Sequence, residues 1–274
     1  MPRTAGIMTF PEFRGFTRKL ILWNLGIFFL LLVLGLFSRG TVGAIMGYMA
    51  LVPALVARGF LWQLVTYSFL HQGLFNTALE MLSLWFLGSF LESIHGARWM
   101  GELYFVSVTG AAVAAVALSF ALAPSIGLVG VGLMGSFGGI FGLLIAFGVL
   151  HGDMEFMLFP LPVQIKAKYL VTVYLIIAFA SFFLSDRIYA LAQLGGALSG
   201  FIYVKSASRR GLFVGASERY LDIRNSYYKW KRRRAARKFE VYMRKQNREV
   251  HFDQEGRYID PDKNKNPNDK RWMN

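Results

Sequence analysis

The chain has no cysteine. That absence excludes a thiol nucleophile, a disulfide framework and a cysteine-held iron–sulfur cluster. Only four histidines occur in 274 residues, so a multi-histidine metal site is not expected. No zinc-ligand spacing, phosphate-binding P-loop or dinucleotide fingerprint appears, and no cofactor is expected. Charge is also scarce. Asp, Glu, Lys and Arg make up 17% of the chain, and only 16 residues are acidic. A 55% hydrophobic content with so little charge excludes disorder and is unusual for a water-soluble domain.

What the sequence does have is long apolar runs. The mean hydropathy is +0.42. A helix crossing a bilayer needs about 20 mostly apolar residues. Six segments approach that: 20–37, about 70–91, about 101–123, about 134–151, about 168–184 and about 187–204. The first, "LILWNLGIFFLLLVLGLF", is too long for a signal-peptide core and lacks a small-x-small cleavage site after it. It is expected to be an anchor. The predicted class is therefore an all-α, six-span polytopic membrane protein.

Basic residues bias orientation. Arg14, Arg18 and Lys19 precede the first span, Arg98 separates the second and third, and Lys166 and Lys168 separate the fourth and fifth. If the spans alternate, all of these share one side with the tail. Both termini are then expected in the cytoplasm. The outer connection, roughly 39–68, is too apolar for a solvated loop and is expected to lie in the interface as a broken hairpin, with Trp62 and Tyr67 at headgroup depth.

Polar residues inside spans are costly, face the protein interior and often mark function. Here they are Asn76 and Glu80, Ser136, and Gln193. Asn76 and Glu80 are four apart and share a helical face. Glu80 reads either as a neutral hydrogen-bonding hub between helices or as a proton or substrate contact. The fourth span carries Gly138 and Gly142, and the sixth carries Gly196 and Gly200. Glycines four apart let two helix backbones approach closely, and packing alone accounts for them.

Several motifs, in order, resemble the rhomboid intramembrane proteases: "WQLVTYSFLHQGLFN…LSLWFLGSFLE" (62–92), "GSFGGIFGLLIAFGVL" (135–150), "IKAKYL" (165–170) and "AQLGGALSGFIY" (192–203). The resemblance covers roughly 15–205. It implies a six-helix bundle with an outward-opening polar cavity and a membrane-embedded first loop. It also implies a serine nucleophile in G-x-S-G, a histidine base in H-x-x-G-x-x-x-G, and a histidine and asparagine holding the oxyanion. This chain departs at each of those positions. The framework reads Gly135, Ser136, Phe137, Gly138, so Phe137 occupies the nucleophile position. Gln193 occupies the base position. After His71, the oxyanion pair reads Asn76 and Glu80, and the first loop's tryptophan–arginine pair reads Trp62–Gln63.

Ser136 is the fallback nucleophile. One residue along a helix turns a side chain by about 100°, so Ser136 is expected to point away from the line of attack that Phe137 fills. Gln193 cannot take its proton. His71, His95, His151 and His251 are placed at an outer end, at the cytoplasmic face and in the tail, and supply no base. The scaffold motifs with altered chemistry imply an inactive member that binds transmembrane segments laterally, between spans two and five, as an adaptor, chaperone or quality-control factor. Asn76, Glu80 and Gln193 are expected to cluster beneath the Phe137 ring. An active serine endopeptidase using Ser136 is the alternative. A bacterial inner membrane is the expected location.

The tail, 206–274, holds 19 Lys/Arg against nine Asp/Glu, so most of the net +14 resides there. Residues 216–248 read as a helix, with an unfolded end over 249–274. Its dense core is "KWKRRRAARK": Lys229, Trp230, Lys231, Arg232, Arg233, Arg234, Arg237 and Lys238. A basic aromatic helix beside a span suits anionic lipid, RNA or a ribosome, or a protein groove.

Overall fold

A computed structural model describes residues 12–122, 127–158, 163–184, 186–206, 212–247, 250–253 and 257–259. The first apolar run forms α1 (Gly15–Phe37). Its N-terminus is closed by a carboxylate from a distant helix. Glu92 accepts from the Phe16 N–H at 2.7 Å, the Thr17 N–H at 2.8 Å and the Thr17 hydroxyl at 2.6 Å. An anion at a helix N-terminus satisfies orphan amides and meets the positive end of the dipole. Gly15 has φ +66°, and a Cβ there would strike the Glu92 carboxylate. The contact pins the start of α1 to the chain around Glu92.

The apolar connection 39–69 folds into three short helices, α2 (Arg39–Met49), α3 (Pro53–Ala57) and α4 (Gln63–Thr66), and a 3₁₀ turn over Tyr67–Phe69. Gln63 is fully buried. It accepts from the Val52 N–H and donates to the Tyr48 carbonyl, each at 3.1 Å. Trp62 donates to the same carbonyl and its ring packs on Tyr48 and Phe60. Side-chain amides thus satisfy backbone that no regular ladder reaches. The loop is also sewn to the segment just before Phe137 by a bridge between Leu51 and Leu133.

Two long helices follow, α5 (Leu74–His95) and α6 (Ala97–Ala121), then α7 (Phe137–Leu150), α8 (Ala167–Leu184) and α9 (Arg187–Ser206). A short antiparallel ladder, β1 (Glu155–Leu158) with β2 (Val163–Lys166), joins α7 to α8. The core lies where α6, α7 and α9 meet. It contains Leu103, Tyr104, Val108, Ala111 and Ala115 of α6, Leu143 and Phe147 of α7, and Ile188 and Ala192 of α9. α8 is attached least. Only Ala167, Val171 and Ala178 are buried, while Ile176, Ile177, Phe179 and Phe183 face outward.

The protein is an all-α polytopic membrane protein. Four helices are long and apolar enough to cross a bilayer: α1, α5, α6 and α8. α7 is a shorter apolar helix of 14 residues, about 21 Å against a hydrocarbon core of about 30 Å. This corrects the plain expectation of six apolar spans. α9 fails on composition: its interior is Gly195, Gly196, Ala197 and Gly200, buried against neighbours. A helix sheathed by protein needs small residues for close packing more than apolar bulk for lipid.

The second unit, Phe213–Asn274, is described separately. Nearly all of α10 (Leu212–Lys245) lies in it, so the helix begins earlier than 216. β3 (His251–Phe252) pairs with β4 (Tyr258–Ile259). An unfolded end is expected over 249–274, yet Phe252 packs edge-on to Phe239 and to Tyr258, each at 6.2 Å. Three aromatic rings give this short segment something to fold on. Residues 260–274 lie outside the described residues.

Candidate functional site

The site forms at the entry to α7. Gly135 has φ +111°, a conformation that favours glycine. Its N–H donates to the Tyr67 carbonyl at 3.1 Å. A Cβ there would also sit 3.2 Å from Glu80 Oε1. This turn aims the next residue at α5. The Ser136 N–H donates to Glu80 Oε2 at 2.6 Å, and the Ser136 hydroxyl donates to the same oxygen at 2.7 Å. Ser136 makes no side-chain cap of its own. Glu80 does the capping from another helix, and its carboxylate sits where the α7 dipole favours negative charge.

A third group completes the cluster. His71 Nε2 lies 3.3 Å from Glu80 Oε2, with the two side chains 0% and 4% exposed. The contact is close but poorly aligned, so it is an ionic or dipolar neighbour rather than a formed hydrogen bond. Nδ1 faces the Phe69 carbonyl at 3.2 Å and so carries a proton. Ser136 is 0% exposed. In a Ser–His–Asp relay the imidazole stands between hydroxyl and carboxylate. Here the carboxylate stands in the middle, and the serine amide that could help hold an oxyanion is already bound to it.

The other expected site residues are placed differently. Phe137 opens α7, half-buried, its ring edge-on to Tyr189 at 6.5 Å. Gln193 lies one turn beyond Tyr189 in α9 and is half-buried. Asn76 is exposed. The expected trio of Asn76, Glu80 and Gln193 is therefore corrected: Glu80 gathers His71 and Ser136 instead. The buried stripe of α5 is Thr77, Glu80, Met81 and Leu84. The chain preceding α5 folds back and carries His71 under that stripe, while Asn76 stays on the open side. No signal local to His71 marks this, because the contact closes through the loop.

The glycines lie where α7 crosses α9. A Cβ on Gly196 would strike the Gly138 carbonyl, and one on Gly200 would lie 2.6 Å from Gly142 Cα. A Cβ on Gly142 would strike the Ser107 hydroxyl, and one on Gly138 the Ala111 side chain. Tyr67 donates to the Val108 carbonyl at 2.9 Å and ties the loop to α6 beside them. Among the described residues, no three His, Asp or Glu side chains converge as a metal site. In α10, Lys231, Arg232, Arg233, Arg234, Arg237 and Lys238 are exposed and Lys229 is half-buried. Arg234 sits over the Trp230 ring, 5.4 Å from its centroid.

Comparison with known proteins adds to this geometry. Residues 22–211 match the family described as "Eukaryotic integral membrane protein (DUF1751)". The chain is also 28% identical over 187 residues to rhomboid-like protein 19 of Arabidopsis thaliana, a match covering 66% of this chain and 60% of that relative. Both findings are eukaryotic, which overturns the expected bacterial inner membrane. With its match over 22–211, the chain belongs to the DUF1751 family of eukaryotic integral membrane proteins.

Proposed function

We propose that this protein binds transmembrane segments of other membrane proteins without cleaving them. The observation that carries the reading is the state of Ser136: fully buried, with both its amide and its hydroxyl committed to Glu80. A serine nucleophile must face its substrate and hand its proton to a positioned base. The ring of the next residue, Phe137, packs edge-on to Tyr189. In this reading Glu80 is a clamp that holds α5, the inserted loop and α7 together, and α7 and α9 complete a six-helix bundle. In this reading a client helix enters laterally between α5 and the sparsely buried α8.

The alternative, hydrolysis through Ser136 with Glu80 as base, is favoured by one observation, the 2.7 Å bond between them. It lacks an exposed hydroxyl and a free amide to hold an oxyanion. For the tail, exposed Tyr227, Tyr228 and Trp230 among the cations support contact with anionic lipid over RNA or a ribosome. The test of the client reading is a photo-crosslinker placed at Tyr174 or Tyr189 in native membranes. Recovery of single-span proteins at these positions, and not at lipid-facing Leu22, supports it. Equal recovery at all three contradicts it.

A further inference from the structure

A groove of about 400 Å³ runs along α1 where it meets α6 and the inserted loop. α1 contributes Phe16, Lys19, Trp23 and Ile27 to its walls, α6 contributes Phe105, and the inserted loop contributes Phe69. Phe16 and Phe105 meet edge-on at 6.1 Å and form one wall. Every one of these side chains is apolar or aromatic except Lys19. From Phe16 to Ile27 is about 16 Å along a helix axis, close to the half-thickness, about 15 Å, of a bilayer's hydrocarbon core.

Lys19 lies in the second turn of α1, at the end where Arg14 and Arg18 also stand. The acidic groups there are already engaged. Glu92 holds the amides and hydroxyl at the start of α1, and Glu12 pairs with Arg14 at 3.0 Å. Arg18 and Lys19 have no acidic partner among the described residues. A lysine at this depth extends its amine to the headgroup layer and leaves its methylenes along the apolar wall. An uncompensated cation at the aqueous end of an apolar slot one leaflet deep is complementary to an anionic lipid and not to a zwitterionic one.

We propose that this groove is a binding site for an anionic phospholipid, its phosphate at Lys19 and one acyl chain lying along α1 towards Ile27. Its lining residues all belong to the first unit, Met1–Leu212.

The full chain in nanodiscs of equimolar phosphatidylcholine and phosphatidic acid tests it, with retained lipid read by native mass spectrometry. The wild type is expected to keep phosphatidic acid in preference to phosphatidylcholine. Lys19→Gln, at an exposed position, is expected to lower that preference about fivefold, the effect of one lysine near an anionic surface. Ile27→Trp, which fills the slot, is expected to reduce retention of both lipids. A full-length variant with the basic residues of 229–238 changed to glutamine is expected to keep the preference. The proposal is overturned if Lys19→Gln leaves the preference intact, or if only the tail variant abolishes it. It is equally overturned if inorganic phosphate displaces the lipid, or if a transmembrane peptide occupies the groove in its place.

Discussion

The hydroxyl of Ser136 lies 2.7 Å from Glu80 Oε2, and the amide of the same serine lies 2.6 Å from the same oxygen. One carboxylate from α5 thus holds both donors of the residue that starts α7. The arrangement makes the start of α7 a joint between helices.

That joint has a measurable strength. Glu80→Ala leaves the Ser136 amide and hydroxyl buried without an acceptor, an expected loss of about 3–5 kcal/mol. Glu80→Gln keeps one carbonyl oxygen and is expected to cost about 1–2 kcal/mol. Thermal unfolding of the two variants in one detergent gives the order. An alanine variant as stable as the wild type would show that the carboxylate holds nothing.

The crossing of α7 and α9 leaves no room for a methyl group. In Gly200→Ala the new carbon meets Gly142 Cα at 2.6 Å and the Gly142 carbonyl oxygen at 2.8 Å. Both neighbours are backbone, so a helix must move, at an expected cost of about 1–3 kcal/mol. Gly26→Ala is the control. Nothing lies within 4 Å of a Cβ there, and removing a mid-helix glycine is worth about 0.5–1 kcal/mol of added stability. Opposite signs for the two alanines are the expected result.

His151 makes stability depend on pH. It follows α7, with its ring edge-on to Phe90 at 5.2 Å and 5.9 Å from that of His95. Burial first, and the neighbouring imidazole second, hold its pKa below the ordinary value of 6.5. The unfolded chain therefore takes up this proton at higher pH than the folded chain. Stability is constant above the ordinary histidine value and falls as pH drops through it, levelling once the folded imidazole itself titrates. His151→Asn is expected to flatten this window in a melting series from neutral to mildly acidic pH. An unchanged slope would assign the dependence to another group.

The tail is tested by charge. Changing Lys231, Arg232, Arg233 and Arg234 to glutamine in the full chain is expected to reduce capture of anionic vesicles at low salt, with a smaller difference at high salt. A variant that loses RNA binding steeply with salt while its vesicle capture is unchanged would transfer the tail to a nucleic-acid role.

The spans were legible wherever lipid dictates composition. α1, α5, α6 and α8 are apolar because their outer faces meet hydrocarbon, and apolar runs record that directly. α9 was legible only through spacing: its Gly196 and Gly200 fall on one face, and its hydropathy is low because protein covers it. The cluster was half legible. Glu80 and Ser136 stand out as polar residues in oily segments, but the pairing of Glu80 with His71 depends on a loop that returns beneath α5, a closure no local pattern encodes. Asn76 misled for the complementary reason. Its four-residue spacing from Glu80 describes a helical face correctly, but not where along the helix that face leaves the core. The folding of Phe252 and Tyr258 around Phe239 is not legible in the sequence, because a few aromatics in a polar segment carry no periodicity.

The reading that the cleft holds helices without cutting them is tested most directly by labelling native membranes with a fluorophosphonate serine-hydrolase probe, comparing the wild type with Ser136→Ala. The account predicts equal, background signal from both. Strong labelling of the wild type that vanishes in the alanine variant would contradict it.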